Sequence, residues 1–174
     1  MLATHRPVDA SVQRYAAFDA LSPEMQRLCE TLQVRHSPES SFWGAAEASL
    51  RPDKLAELRT ELSGVTHPLV IRHPFTGRKA LYISGDVFMD GIVGMHPAES
   101  RVLLGYLSSL VNDPNLAVRW QWQVGDVAMW DEYSTNHRAL ADHYPQHRRM
   151  RRCTVDGVAL PAASVAHPQP AGRS

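Results

Sequence analysis

The stretch "WDEYSTNHRALADHYPQHRRMRRCTV", residues 130–155, carries three histidines and five arginines before it turns apolar. His137 precedes Arg148 by eleven residues and Arg152 by fifteen, with Pro145 between them. If residues 148–155 form a strand, its period of two places Arg148, Met150, Arg152 and Thr154 on one face. Arg149, Arg151 and Cys153 then share the other. Two guanidiniums four residues apart on one face suit a carboxylate, sulfonate or sulfate, because the planar fork of arginine matches such groups. A neighbouring strand could bring the His137 imidazole to the mouth of that anion pocket. Two readings stay open at this point. One is a metal ligand backed by an anion site; the other is an edge strand of solvated arginines with a structural histidine, since one histidine is weak evidence for a metal.

Upstream of this stretch, "LAVRWQWQVGDVAMWD" alternates as a strand does, with Val118, Trp120 and Trp122 set against Arg119, Gln121 and Gln123. Gly125-Asp126 breaks the run and "VAMW" resumes it. The alternation predicts that Trp120 and Trp122 pack in the core. "HPLVIRHPFTGRKALYIS" places two short apolar runs, 69–72 and 80–83, around a Pro-and-Gly turn, which is a hairpin signal. His67 and His73, each followed by proline, read as turn positions rather than ligands. Three helices are expected, at 22–33, 52–63 and from Pro97 to about Leu110. The first is capped by Ser22 and puts Met25, Leu28 and Leu32 on one face. The last turns Val102, Leu103, Tyr106, Leu107 and Leu110 inward. "HSPESSFWGAAEAS" reads as a Ser-rich loop. The Ala- and Pro-rich residues 159–174 read as a disordered tail behind one domain over 1–158.

Length and charge bound the class. The chain has 174 residues, 18 Lys+Arg against 18 Asp+Glu, and two cysteines, Cys29 and Cys153. A balanced charge argues against nucleic acid or an anionic membrane as partner. Two cysteines make no disulfide scaffold, so a reducing compartment is expected. No apolar run approaches the roughly 20 residues that span a bilayer, and "MLATHRPVDAS" lacks a signal-peptide core. The expectation is a cytoplasmic protein, mixed α/β in the α+β sense, with a sandwich or barrel and peripheral helices.

Together "THPLVIRHPFTGRKALYIS", "VRWQWQVGDVAMWDEYSTNH" and "DHYPQHRRMRRCTVDG" resemble the taurine dioxygenase (TauD/TfdA) family of Fe(II)- and 2-oxoglutarate-dependent oxygenases. The resemblance runs over roughly residues 15–158, and its His-x10-Arg-x3-Arg spacing is specific. It implies a double-stranded β-helix (jelly-roll), here partial, with iron held by two histidines and one carboxylate. By position, His137 resembles the distal histidine of that triad. Arg148 resembles the arginine that meets the far carboxylate of 2-oxoglutarate, and Arg152 the one that meets the anionic group of the prime substrate. Asp131 falls in the family's "WD" step, where a structural role is implied. O2 and a small anionic molecule would be the other reactants, and a homo-oligomer is possible.

The family's His-x-Asp pair has no counterpart in this sequence. His5 and Asp9 are four apart, about 13 Å along a strand at ~3.3 Å per residue, too far to share a metal. Pro7 opposes the helix that would bring them together. The threonine that helps hold 2-oxoglutarate also lacks a counterpart, Thr4 and Ser11 being poor substitutes. The resemblance therefore implies the C-terminal portion of such an enzyme. The alternative is a non-catalytic remnant that keeps only an anion pocket or an oligomer interface.

Overall fold

Every strand pairing among the described residues is antiparallel, and the strands form three small sheets without closing a barrel. The computed structural model describes residues 8–38, 40–62, 64–84, 88–140 and 149–155. The chain opens with β1 (Val8–Gln13) and α1 (Arg14–Asp19), followed by α2 (Pro23–Thr31) and β2 (Gln33–His36). Two helices come next, α3 (Ser40–Ser49) and α4 (Pro52–Glu61). Then follow β3 (Val65–Pro68), the hairpin β4 (Val70–Arg72) and β5 (Lys79–Leu81), and the short β6 (Gly91–Ile92). The helix α5 (Pro97–Val111) leads to β7 (Ala117–Gln121) and β8 (Thr135–Ala139). One sheet has the order β7-β1-β8, a second β3-β2-β6, and the third is the β4-β5 hairpin. The mixed α/β class expected from the sequence is present, as antiparallel sheets with helices around them.

Local chemistry explains the element ends. Ser22 caps α2 by accepting from the Met25 amide, with Pro23 in the first turn, where its missing N–H costs nothing. At α5 a capping box forms around histidine: His96 Nδ1 accepts from the Ala98 amide, and Glu99 Oε2 accepts from the His96 amide. In the β4–β5 turn Gly77 has φ +68°, a conformation costly for residues with a Cβ. Its amide closes the turn on the His73 carbonyl at 2.9 Å.

The core gathers α1, α2, α5 and the second and third sheets around Phe18, Leu21, Leu69, Leu81, Ile83, Leu107 and Val111. Leu69 stitches the sheets together, its amide bonded to the Leu32 carbonyl and its carbonyl accepting from the Tyr82 amide. Burying such side chains stabilises by about 1.5–3 kcal/mol each.

Several expectations fail here for identifiable reasons. On α5, Leu107 is buried and Leu103 and Leu110 pack against the core as expected, but the buried face also holds Ser100, Leu104, Ser108 and Val111, whereas Val102 is 75% exposed and Tyr106 is also exposed. The buried Ser100 hydroxyl accepts the Ile92 amide at 2.8 Å, which turns the helix so that a polar residue faces β6. At α2, Met25 and Leu32 pack against the core as expected, but Cys29 is buried and Leu28 is exposed. Residues 40–49 are helical where a loop was expected. Trp120 is 52% exposed, so alternation marked the strand but not its burial. Residues 127–130 and 149–155 carry no strand. Residues 159–174 lie outside the described residues. No helix among the described residues is long and apolar enough to cross a membrane.

Candidate active site

The turn that feeds β8 is organised by one carboxylate. Asp131 Oδ1 accepts the Tyr133 amide at 3.0 Å, and Oδ2 accepts the Ser134 hydroxyl at 2.6 Å. The Asp131 carbonyl accepts the Thr135 amide at 3.0 Å, which starts the strand. Oδ2 also meets Nε2 of the buried His73 at 2.8 Å. His73 Nδ1 accepts two amides of its own turn, from Phe75 at 3.2 Å and Thr76 at 3.1 Å. A nitrogen accepting two N–H groups cannot carry a proton, so the network assigns the proton to Nε2, which donates to Asp131. Burial alone would raise the Asp131 pKa. The hydrogen bonds from Ser134, the Tyr133 amide and His73 outweigh burial and hold it below the usual carboxylate value. The structural role implied for Asp131 thus has a concrete form: it clamps the β8 turn onto the β4–β5 turn. His73 is a turn residue as expected, and also the other half of this clamp.

Beyond the clamp, β8 lies against β1 with His137 opposite Ser11. The half-buried His137 ring stacks on Trp130, with centroids 4.5 Å apart and planes 21° from parallel. The Trp130 indole N–H donates to Glu132 Oε1 at 3.1 Å. The same oxygen receives Arg152 Nη2 at 2.7 Å. The structure therefore links His137 to Arg152 through Trp130 and Glu132, although no strand carries Arg152. With side chains 62% and 53% exposed, the Arg152–Glu132 pair is worth no more than about 1 kcal/mol and can be exchanged for another anion. Arg148 lies outside the described residues.

Arg14 was missed by the sequence reading. It is only 6% exposed and reaches the same turn: Nη1 donates to the Glu132 carbonyl at 2.7 Å and Nη2 to Asn136 Oδ1 at 3.5 Å. Its guanidinium lies 4.9 Å from the centre of the Tyr82 ring, and burial lowers its pKa. Tyr82 in turn forms a triangle of rings with His36 and His67, at centroid separations of 5.3 to 5.5 Å. Burial, aided by His67 and Arg14, lowers the His36 pKa to about 4, and burial also lowers that of His67. Nothing in "VQRYAAF" distinguishes Arg14 from a surface arginine at a helix start, so no sequence signal could have found it.

The donor set can be tested against a metal directly. Among the described residues no group of three or more His, Cys, Asp or Glu is placed to hold a metal ion. His137 offers one imidazole, which does not make a two-histidine, one-carboxylate centre.

A family model described as taurine catabolism dioxygenase TauD, TfdA family matches residues 12–154, and the chain belongs to that family. Among its relatives, an alkylsulfatase of Acinetobacter baylyi is 36% identical over 145 residues, covering 81% of this chain and 45% of the relative. An alpha-ketoglutarate-dependent sulfate ester dioxygenase of Pseudomonas putida is 35% identical over 150 residues, covering 82% and 48%. Among solved structures, AAD-2 in complex with Mn(II) and N-oxalylglycine superposes with a TM-score of 0.74 at 28% identity. That match covers 92% of this chain and 61% of that one. A taurine dioxygenase from Burkholderia xenovorans gives 0.62 at 28% identity, covering 79% and 41%. The chain spans about half the length of the curated relatives it matches.

Proposed function

We propose that this chain contributes one side of the active site of an Fe(II)- and 2-oxoglutarate-dependent dioxygenase that oxidises a small anionic molecule, a sulfonate, sulfate ester or carboxylate. The observation that carries the reading is the line from His137 through Trp130 and Glu132 to Arg152, in a chain of this family. In it His137 is an iron ligand, and Arg152 leaves Glu132 to meet the anionic group of the substrate. Arg148 is assigned the far carboxylate of 2-oxoglutarate on the family resemblance alone. When bound, iron and 2-oxoglutarate together supply O2 activation, with succinate and CO2 as products. The described residues do not fit a complete iron centre. The two further ligands belong, on this reading, to polypeptide outside them, and no step through the metal is derived.

The test is succinate formation from 2-oxoglutarate by the natural protein with Fe(II), O2 and an alkyl sulfate or alkanesulfonate. Turnover lost in His137→Ala, with KM for the anion raised in Arg152→Gln, supports the reading. A second reading is favoured by the lack of a three-ligand group among the described residues: a non-catalytic polypeptide retaining an anion pocket or an oligomer interface. It predicts no succinate, Co(II) binding no tighter than that of a single imidazole, and an intact polypeptide mass of 19.4 kDa.

A further inference from the structure

The two faces of β8 carry different chemistry, because alternate residues of a strand project to opposite sides. His137 takes one side; Asn136 and Arg138 take the other. On that other side the register does something the linear sequence does not show. Arg119 of β7 and Arg138 of β8 both stand opposite the same residue, Ala10 of the central β1. Directly opposed residues of antiparallel strands share a face, and strands are about 4.8 Å apart, so the two arginines start roughly 10 Å from one another. The residue between them is the small alanine.

A cavity of about 190 Å3 opens on this face, lined by Arg119, Arg138, Asn136, Asn112, Pro114 and Val111. Among the described residues neither Arg119 nor Arg138 has a carboxylate partner, whereas Arg27, Arg35, Arg51, Arg59, Arg78 and Arg152 each do. Asn136 is turned by its neighbour: its Oδ1 faces Arg14 Nη2, so its amide N–H groups point away from that guanidinium. Asn112 is anchored by its own amide on the Ser108 carbonyl at 2.8 Å.

The opposing term is the C-terminal end of α5, whose last residue, Val111, and C-cap, Asn112, reach the same cavity. A helix C-terminus carries about half a negative charge. Two full guanidinium charges exceed it, and the cavity is net positive. Like charges held together without a counter-charge repel each other, and a bound anion removes that penalty.

We propose that this basic cavity, between the end of α5 and the face of the β7-β1-β8 sheet opposite His137, binds a small tetrahedral oxyanion, sulfate or phosphate. Arg119 and Arg138 supply the charge and Asn136 the neutral donor. Because both guanidiniums are exposed, binding is weak and sensitive to salt.

The test needs no iron, O2 or 2-oxoglutarate, so its outcome is independent of the proposed oxygenase chemistry. Sodium sulfate and sodium phosphate are titrated separately into the isotopically labelled protein at constant ionic strength, with sodium chloride as reference. Side-chain amide signals of Asn136 and Nε–H signals of Arg119 and Arg138 are followed by NMR. The expected result is a saturable shift of these signals with sulfate, phosphate or both, and none with chloride. Arg119→Gln and Arg138→Gln should each weaken binding at least tenfold. A linear, unsaturable response, or one that chloride reproduces, overturns the proposal. So does saturable binding that both variants leave intact, or that disappears only in Arg152→Gln. The wild-type titration alone can refute the site, whatever the folding of the variants.

Discussion

Asp131→Ala is the substitution most informative about the site, because three side-chain bonds end on that carboxylate. It removes the acceptor of the Ser134 hydroxyl at 2.6 Å, of His73 Nε2 at 2.8 Å and of the Tyr133 amide at 3.0 Å. Hydrogen bonds to charged groups contribute about 1.5–3 kcal/mol each, and a buried donor left unmet costs about 1–3 kcal/mol. The three are not additive, and the Asp131 side chain is 39% exposed, so water replaces part of the loss. The result is a loss of about 3 kcal/mol, most of it from the buried His73 N–H. For a chain of this size that lowers Tm by roughly 6–12 °C. Urea unfolding of wild type and variant, compared by midpoint at unchanged slope, measures it. Asp131→Asn should lose less, since one oxygen still accepts while its amide opposes a donor. The sign with pH follows from the depressed folded pKa. The stabilisation is fully present above the ordinary carboxylate value near 3.9 and is lost as pH falls below it through the lower folded value. If Asp131→Ala lies within about 0.5 kcal/mol of wild type, the clamp is an ornament and the account of the β8 turn is wrong.

Other expectations are more quickly stated. Leu107→Ala, at a fully buried position of α5, should cost about 2–5 kcal/mol by the same urea assay. The folded protein should show one fast thiol towards an aromatic disulfide reagent, the exposed Cys153. Cys29, buried and with its pKa pushed up to about 11, should react only on unfolding. His36, lowered from 6.5 to about 4 chiefly by burial, binds its proton less readily folded than unfolded. Stability should therefore rise between about pH 4 and 6.5 and level off above, and His36→Asn should flatten that part of the curve.

What could be read from the sequence was what depends on local rules. The Ser22-Pro23 start, the HPFTGRK turn and the Pro97-Glu99 start each combine a residue preference with a fixed offset, and each marks a real element boundary. The family resemblance directed attention to His137 and Arg152, which one turn does bring into a line. Illegible were features made by pairing across the chain. β1 and β8 are 122 residues apart at Gln13 and Thr135; Val8, Ala10 and Val12 do alternate with polar residues in β1, but nothing in the TNHRA sequence of β8 marks it as the partner. The faces of α2 and α5 were legible in part: Met25, Leu32, Leu103, Leu107 and Leu110 pack on the core as expected, whereas Leu28, Val102 and Tyr106 are exposed, because each helix has apolar residues on two adjacent stripes. A hydrogen bond from Ile92 to Ser100, rather than hydrophobicity, chooses between them in α5. Arg14 and His36 had no signal at all, since their partners are distant in sequence: Glu132, Asn136 and the Tyr82 ring for Arg14, and His67, Tyr82 and Ser84 for His36.

This division between local and long-range structure has an energetic counterpart. The buried apolar side chains among the described residues lie between Tyr15 and Val111, and none comes from β7, β8 or the segment between them. Val118, Val124, Val127 and Met129 are all exposed there. Among the described contacts, β7 and β8 are therefore held by their backbone ladders to β1, by the Asp131–His73 clamp, by Arg14 on the Glu132 carbonyl and Asn136, and by the packing of Tyr133 on Tyr15, Ile71 and Ala80. A ladder bond contributes a net of only about 1 kcal/mol, whereas opening α5 exposes several fully buried side chains. Local opening of β8 should thus cost much less than global unfolding. Native-state hydrogen exchange should show the amides of Asn136, His137 and Arg138 exchanging through an opening well below the global free energy. Those of Leu104, Leu107 and Ile71 should exchange only with global unfolding. In Asp131→Ala the β8 amides should exchange faster still, while the core amides track the loss of overall stability. Equal protection of both sets would mean that the site sheet and the core open as one unit. The side of the sheet bearing His137 would then be stabilised by contacts that burial and hydrogen bonding in this fold do not supply.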